Sequence, residues 1–152
     1  MSAKSEFSRN RIAGSVLIGG LLLLTGLVGC GKGKDPWEVT HPATGVVNFK
    51  GRPIVDAELT FFPEDKSAPD SVRPKAKSTA GGKFEVWTYV QGDGAPAGNY
   101  KVTVVHNEVA VSKDTIVAKP NDLPEKFSKR DTTDIQVQIV AGKNEIPSID
   151  IK

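Results

Sequence analysis

The sequence predicts an all-β protein: a single antiparallel β-sandwich of six to seven strands, behind an N-terminal signal helix and a short tether. Three observations point there. After residue 30 the chain holds 15 Val and 7 Ile but only two Leu, and β-branched side chains suit a pleated, half-buried surface. Runs of apolar and polar residues alternate with period 2 and are separated by turn residues. No segment of this part has a convincing helical period. The leader is different, since six of the eight Leu lie before residue 30.

The 152 residues carry 20 Lys and Arg against 18 Asp and Glu, a formal charge of +2. That length supports one ordinary domain with appendages. So small a charge gives no footprint for nucleic-acid binding. Its origin is also local. Lys4, Arg9 and Arg11 against Glu6 give the leader +2, and the remainder has 17 residues of each sign. Slight basicity therefore belongs to an address, and the working domain is formally neutral.

Residues 1–29 read as a secretory signal: a basic start, then an apolar stretch from Ile12 to Val28 broken by four glycines. At 17 residues the stretch is at the low end for spanning a bilayer. It ends in Leu27-Val28-Gly29-Cys30, which resembles the bacterial lipobox. By that resemblance Cys30, the single cysteine, is diacylated and the leader is cut before it. A thiol is the nucleophile that accepts the diacylglycerol, and small residues before it open the backbone to the peptidase. Each buried methylene contributes roughly 0.8 kcal/mol, so two or more chains hold firmly. Cys30 is thus expected to be a membrane anchor rather than a redox group. Residues 30–42 form the lipidated N-terminus and tether, because Gly31 to His41 has no apolar period. Gly rather than Asp at position 31 favours the outer membrane of the cell envelope, by resemblance to Gram-negative lipoproteins.

Residues 43–152 form the domain. A first strand spans Thr44 to Lys50, closed by Gly51-Arg52-Pro53. Ala57, Leu59 and Phe61 alternate with Glu58, Thr60 and Phe62, and Pro63 ends that strand. Glu64 to Lys77 reads as a loop. Phe84, Val86 and Thr88 alternate with Glu85, Trp87 and Tyr89, followed by a turn-rich loop from Gln91 to Gly98. Tyr100 to His106 and Ile135 to Val140 alternate in the same way. Ala141-Gly142-Lys143-Asn144 is a turn, and Ile146 to Ile151 a last short strand. Asn107 to Thr132 lacks a clear period and is open to an extra edge strand or an ordered loop.

Thr44-Gly45-Val46-Val47 with Gly51-Arg52-Pro53-Ile54-Val55-Asp56-Ala57 resembles the opening of carboxypeptidase regulatory-like domains. Ser78-Thr79-Ala80-Gly81-Gly82-Lys83-Phe84 is similar to their Thr-Asp-x-x-Gly-x-Phe turn, with Ala80 in place of Asp. Gly98-Asn99-Tyr100-Lys101-Val102-Thr103-Val104 is similar to their Gly-x-Tyr-x-Val strand. Leu123-Pro124-Glu125-Lys126-Phe127 and the Gly142-Lys143-Asn144 turn further resemble small bacterial lipoproteins built on this domain. The resemblance implies a transthyretin-like (prealbumin-like), Ig-like sandwich with a non-catalytic, accessory role.

Motifs of chemistry are sparse. There is no Gly-x-Ser-x-Gly elbow and no phosphate-cradling glycine loop. A zinc enzyme needs about three His or carboxylate ligands, and the chain has His41 and His106 alone. Glu64-Asp65 and Asp131/Asp134 lack the dense spacing of a calcium loop. No metal, cofactor or catalytic residue is expected. Trp87 and Tyr89 are the candidate ligand platform: if their face is solvent, two aromatics two residues apart suit a sugar ring or a peptide. The competing reading packs them under the Gln91–Gly98 loop. The expected partners are membrane lipid, through Cys30, and an envelope protein or glycan of unknown identity.

Overall fold

Period-2 alternation places one face of each strand in a shared core. The computed structural model describes residues 33–112 and 115–152. The signal sequence and Cys30 lie outside the described residues. A 3₁₀ turn at Pro36–Glu38 leads into β1 (Thr40–His41) and β2 (Ala43–Phe49). Lys50 and Gly51 have φ of 50° and 75° and close a two-residue hairpin onto β3 (Arg52–Pro53). Two positive φ angles in succession match the strand twist. Then follow β4 (Glu58–Pro63), β5 (Lys75–Lys77), β6 (Lys83–Trp87), β7 (Ala95–Pro96) and β8 (Gly98–Val105). β9 (Val109–Ser112), β10 (Thr115–Ala118), β11 (Gln136–Ile139), β12 (Asn144–Glu145) and β13 (Ile149–Ile151) complete the described chain.

One sheet carries the order β11-β8-β4-β5-β6-β2-β12, with β3 and β13 also paired to β2. It curls so that the inner residues of its two halves meet. Leu59, Phe61, Val102 and Val104 come from the β4–β8 half, and Val47, Phe84 and Val86 from the β6–β2 half. All seven are at most 2% exposed. Phe61 and Tyr100 meet edge to face, with centroids 6.2 Å apart. Full burial of such a side chain contributes roughly 1.5–3 kcal/mol. Leu123 and Phe127, the latter on a 3₁₀ turn at Glu125–Ser128, join the same core. The all-β sandwich expected from the sequence is therefore the observed architecture, built among the described residues from thirteen short strands in place of six to seven, because several are pieces of two or three residues with no alternation to read.

The details add to the expectation. β12 and β13 run parallel to β2, whereas the other ladders are antiparallel. β5 lies inside the segment read as a loop. It is three residues long, follows Pro74, and buries only Ala76, so it has no alternation to detect. The irregular stretch after Asn107 holds a hairpin, β9 with β10, paired to itself and not to the sheet. Residues 36–41 of the tether region dock on the domain. Thr40 pairs with Pro96 and His41 with Ala95. A Cβ at Gly94, whose φ is +87°, would sit 1.8 Å from the His41 carbonyl oxygen, so only glycine lets the two chains approach.

Buried polar groups close the turns. The Asn144 side chain accepts the Val140 N–H and donates to the Val140 and Gly142 carbonyls, each at 2.9 Å. Among the described residues no buried side-chain nitrogen or oxygen lacks a partner.

Candidate functional site

An open groove of about 1100 Å³ lies over the β6–β2 part of the sheet, lined mainly by outward side chains and touched also by the inward Gly45, Phe84 and Ile146. Strand parity builds its floor. Phe84 and Val86 of β6 point inward, so Lys83, Glu85 and Trp87 point out. Register then sets Glu85 opposite Thr44, Lys83 opposite Val46, and Trp87 opposite Lys75. Glu145 lies beside Thr44 on the far side of β2. Gln91 and Ser148 rim the groove. Trp87 is half-buried: it packs against the core cluster and also lines the groove.

One wall is the Val55–Asp56 turn, and Ser78 fixes it. The Ser78 hydroxyl donates to the Ile54 carbonyl at 2.8 Å and accepts the Ala57 N–H at 2.9 Å. The Asp56 N–H donates to the Ser78 carbonyl at 2.9 Å. Asp56 itself has φ of 63°, a conformation that Asp tolerates better than most residues. Its carboxylate sits 3.0 Å from the Lys77 Nζ. That hydrogen bond and charge raise the Lys77 pKa above its ordinary value. The groove thus offers one half-buried indole among charged and polar groups of both signs.

Tyr89 is elsewhere. β6 ends at Trp87, and the next three residues bend around Asp93. The Asp93 carboxylate accepts the N–H groups of Thr88, Tyr89 and Val90 at 2.7, 3.0 and 3.2 Å. The bend carries Tyr89 to a separate hollow of about 450 Å³, shared with Lys34, Trp37 and Glu38. Its hydroxyl donates to the Trp37 carbonyl at 2.6 Å. Partial burial, then the nearby Glu38 and Asp93 carboxylates, raise its pKa. Tyr89 remains 53% exposed. Trp87 and Tyr89 therefore line two different hollows rather than one flat platform.

The other sequence candidates are absorbed locally. His106 Nδ1 lies 2.8 Å from Asp122 Oδ1, and His41 Nδ1 accepts the Gly142 N–H at 3.2 Å. Asp65 takes the N–H and hydroxyl of Ser67, which lowers its pKa. Asp134 pairs with Lys126 at 3.1 Å. Among the described residues no group of three or more His, Cys, Asp or Glu is placed to hold a metal. No helix among them is long and apolar enough to cross a membrane. Ser78 and Asp93 were missed from sequence because each acts through backbone groups that only the folded turn brings near. Trp37 was missed because its neighbourhood has no pattern.

No family model matches the chain, and none of the curated proteins matches it. Solved structures give partial likenesses. A 9R-lipoxygenase from Cyanothece PCC8801 aligns at TM-score 0.41 and 18% identity, over 78% of this chain and 17% of the lipoxygenase. A DUF3823 family protein from Parabacteroides merdae ATCC 43184 aligns at 0.40 and 11%, over 74% of this chain and 45% of its own. A candidate carbohydrate-binding protein from Pseudomonas aeruginosa aligns at 0.40 and 10%, over 74% and 87%. This chain thus spans less than half of the first two. At such scores the groove's own geometry is what any functional reading must rest on.

Proposed function

We propose that this chain is a lipid-anchored protein of the cell envelope whose β-sandwich is a non-catalytic binding module. The observation that carries the binding reading is the groove with Trp87 held half-buried on its floor. Fixing an indole in place beforehand reduces the ordering cost on association. An open groove floored by strands suits an extended ligand better than a small enclosed one. The lipobox at Leu27–Cys30 supports the anchor, with Cys30 joined to membrane lipid and the module held in the outer membrane. The partner is an envelope protein or glycan; a formally neutral domain offers nucleic acid no net positive charge.

One feature favours a glycan. Trp87 stands among Lys83, Glu85 and Gln91, which combines a stacking face with donors and acceptors in the manner that sugar rings use. Tryptophan emission of the full chain should shift on titration with envelope polysaccharide or glycan fragments and not in Trp87→Ala, which keeps Trp37. Capture of an envelope protein that needs Trp87, without a glycan response, would favour the protein partner. Loss of neither on Trp87→Ala would remove the groove from the reading. The anchor is tested separately: labelled palmitate should enter the wild type and not Cys30→Ser, and globomycin should cause precursor to accumulate.

A further inference from the structure

The two ends of the sheet are finished differently. At one end lie β12 and β13, interrupted by Pro147 and bearing Lys143, Glu145, Asp150 and Lys152. Charges and proline are the usual means of stopping edge-to-edge pairing. At the other end lies β11, within Ile135-Gln136-Val137-Gln138-Ile139-Val140, which has no charge, proline or glycine. Such a segment has the composition that favours strand pairing. Among the described residues β11 pairs with β8 alone.

Parity shows which of its backbone groups are free. The Val102 N–H donates to the Ile135 carbonyl at 2.9 Å. In an antiparallel ladder the bonded positions alternate, so Val137 and Ile139 bond to β8, and Gln136 and Gln138 turn their N–H and C=O groups outward. The next outward position, Val140, is consumed. Its N–H donates to the Asn144 Oδ1, and its carbonyl accepts from the Asn144 Nδ2. The open edge is therefore two residues long with a defined end.

We propose that this edge pairs with the same edge of a second copy of the chain. A two-fold axis at Val137 sets Gln136 of each copy opposite Gln138 of the other. All four outward groups of each copy are then satisfied, giving four backbone hydrogen bonds. The facing side chains are amides, which pair with one another and do not repel. A strand without charge gives no electrostatic reason to reject its own copy. The two open positions are symmetric about Val137, so the edge is complementary to itself under a two-fold axis, which is why a second copy is the occupant that fits. The interface is small, so the dimer is weak and concentration-dependent.

Light scattering of the full chain in detergent, with the detergent mass subtracted, tests this between about 10 μM and about 1 mM. The expected result is a rise from monomer to dimer. Gln136→Lys with Gln138→Lys should weaken it at least about a hundredfold, because like charges then face each other twice. Gln136→Glu with Gln138→Glu should do the same, and mixing the two variants should restore the dimer. Both glutamines are exposed, and far-ultraviolet circular dichroism checks that the variants fold. A wild type that stays monomeric overturns the proposal. So does a folded Lys variant that dimerises as well as wild type, which would place self-association in the leader or elsewhere.

Discussion

The two faces of β6 differ more than their neighbouring residues suggest. Phe84 and Val86 point inward and are 2% and 1% exposed. Lys83, Glu85 and Trp87 alternate with them and form the floor of the groove. Strand geometry alone separates the two sets, because successive side chains leave opposite sides of the pleat. The inner set answers to packing, where volume is fixed by neighbours on every side. The outer set answers to solvent and, under the proposed function, to a ligand. Substitutions one position apart should therefore move different observables: folding stability on one face, binding on the other.

The largest effect belongs to the inner face. Phe84→Ala should cost about 3–5 kcal/mol in chemical denaturation, from lost transfer energy and the cavity left behind. A smaller value would mean that the curl collapses to fill the space. Gly45→Ala works from the opposite strand. A Cβ there would lie 2.5 Å from the Phe84 Cζ, so overpacking should cost about 1–3 kcal/mol. The double variant Gly45→Ala/Phe84→Leu should recover part of that loss, and its failure would place the strain elsewhere.

The core also carries a pH signature. Tyr100 is 2% exposed, and its hydroxyl donates to the Pro96 carbonyl at 2.8 Å. Burial first, and then the neighbouring Tyr89, raises its pKa well above the ordinary tyrosine value. The fold therefore favours the protonated hydroxyl. Its contribution is complete below about pH 10, where the unfolded tyrosine is also neutral, and is lost as pH rises beyond that. The unfolding free energy should fall above pH 10 by up to about 1.4 kcal/mol per pH unit, and Tyr100→Phe should flatten most of that slope. An unchanged slope would assign it to other groups.

Ser78→Ala lies at the boundary between the faces. Loss of its two backbone hydrogen bonds should cost about 1–3 kcal/mol, and it should also weaken binding by loosening the Val55–Asp56 wall. Lys77→Ala should leave the denaturation midpoint unchanged, because its pair with Asp56 is solvent-exposed. Any effect it has should appear in the binding titration, and a large shift in midpoint would refute the separation of the two faces.

Periodic strands were legible in sequence and irregular contacts were not. Leu59, Phe61, Val86, Val102 and Val104 stand at period 2 in long runs, so their inward orientation followed from alternation alone. Of the candidate site, Trp87 was legible as an outward aromatic. The sequence places its partner Tyr89 on the same face because the alternation runs on through Thr88, and nothing local marks the end of the strand. Asp93 ends it from five residues beyond Thr88, by taking three backbone N–H groups into one carboxylate. The docking of Thr40–His41 onto Ala95–Pro96 was hidden for a related reason: it depends on the space left by Gly94, which is remote in sequence.

By itself the sequence determined the all-β class and the inward set of side chains. These follow from local propensity and period, which each segment carries within itself. Tertiary structure alone decided that β12 and β13 run parallel to β2, that Trp87 and Tyr89 part company, and that a groove opens over the β6–β2 face. It also decided which sheet edge is left without charge or proline. Those features depend on which segments meet across the curl. That choice is made by packing and hydrogen-bond satisfaction between residues far apart in the chain, which no local pattern records.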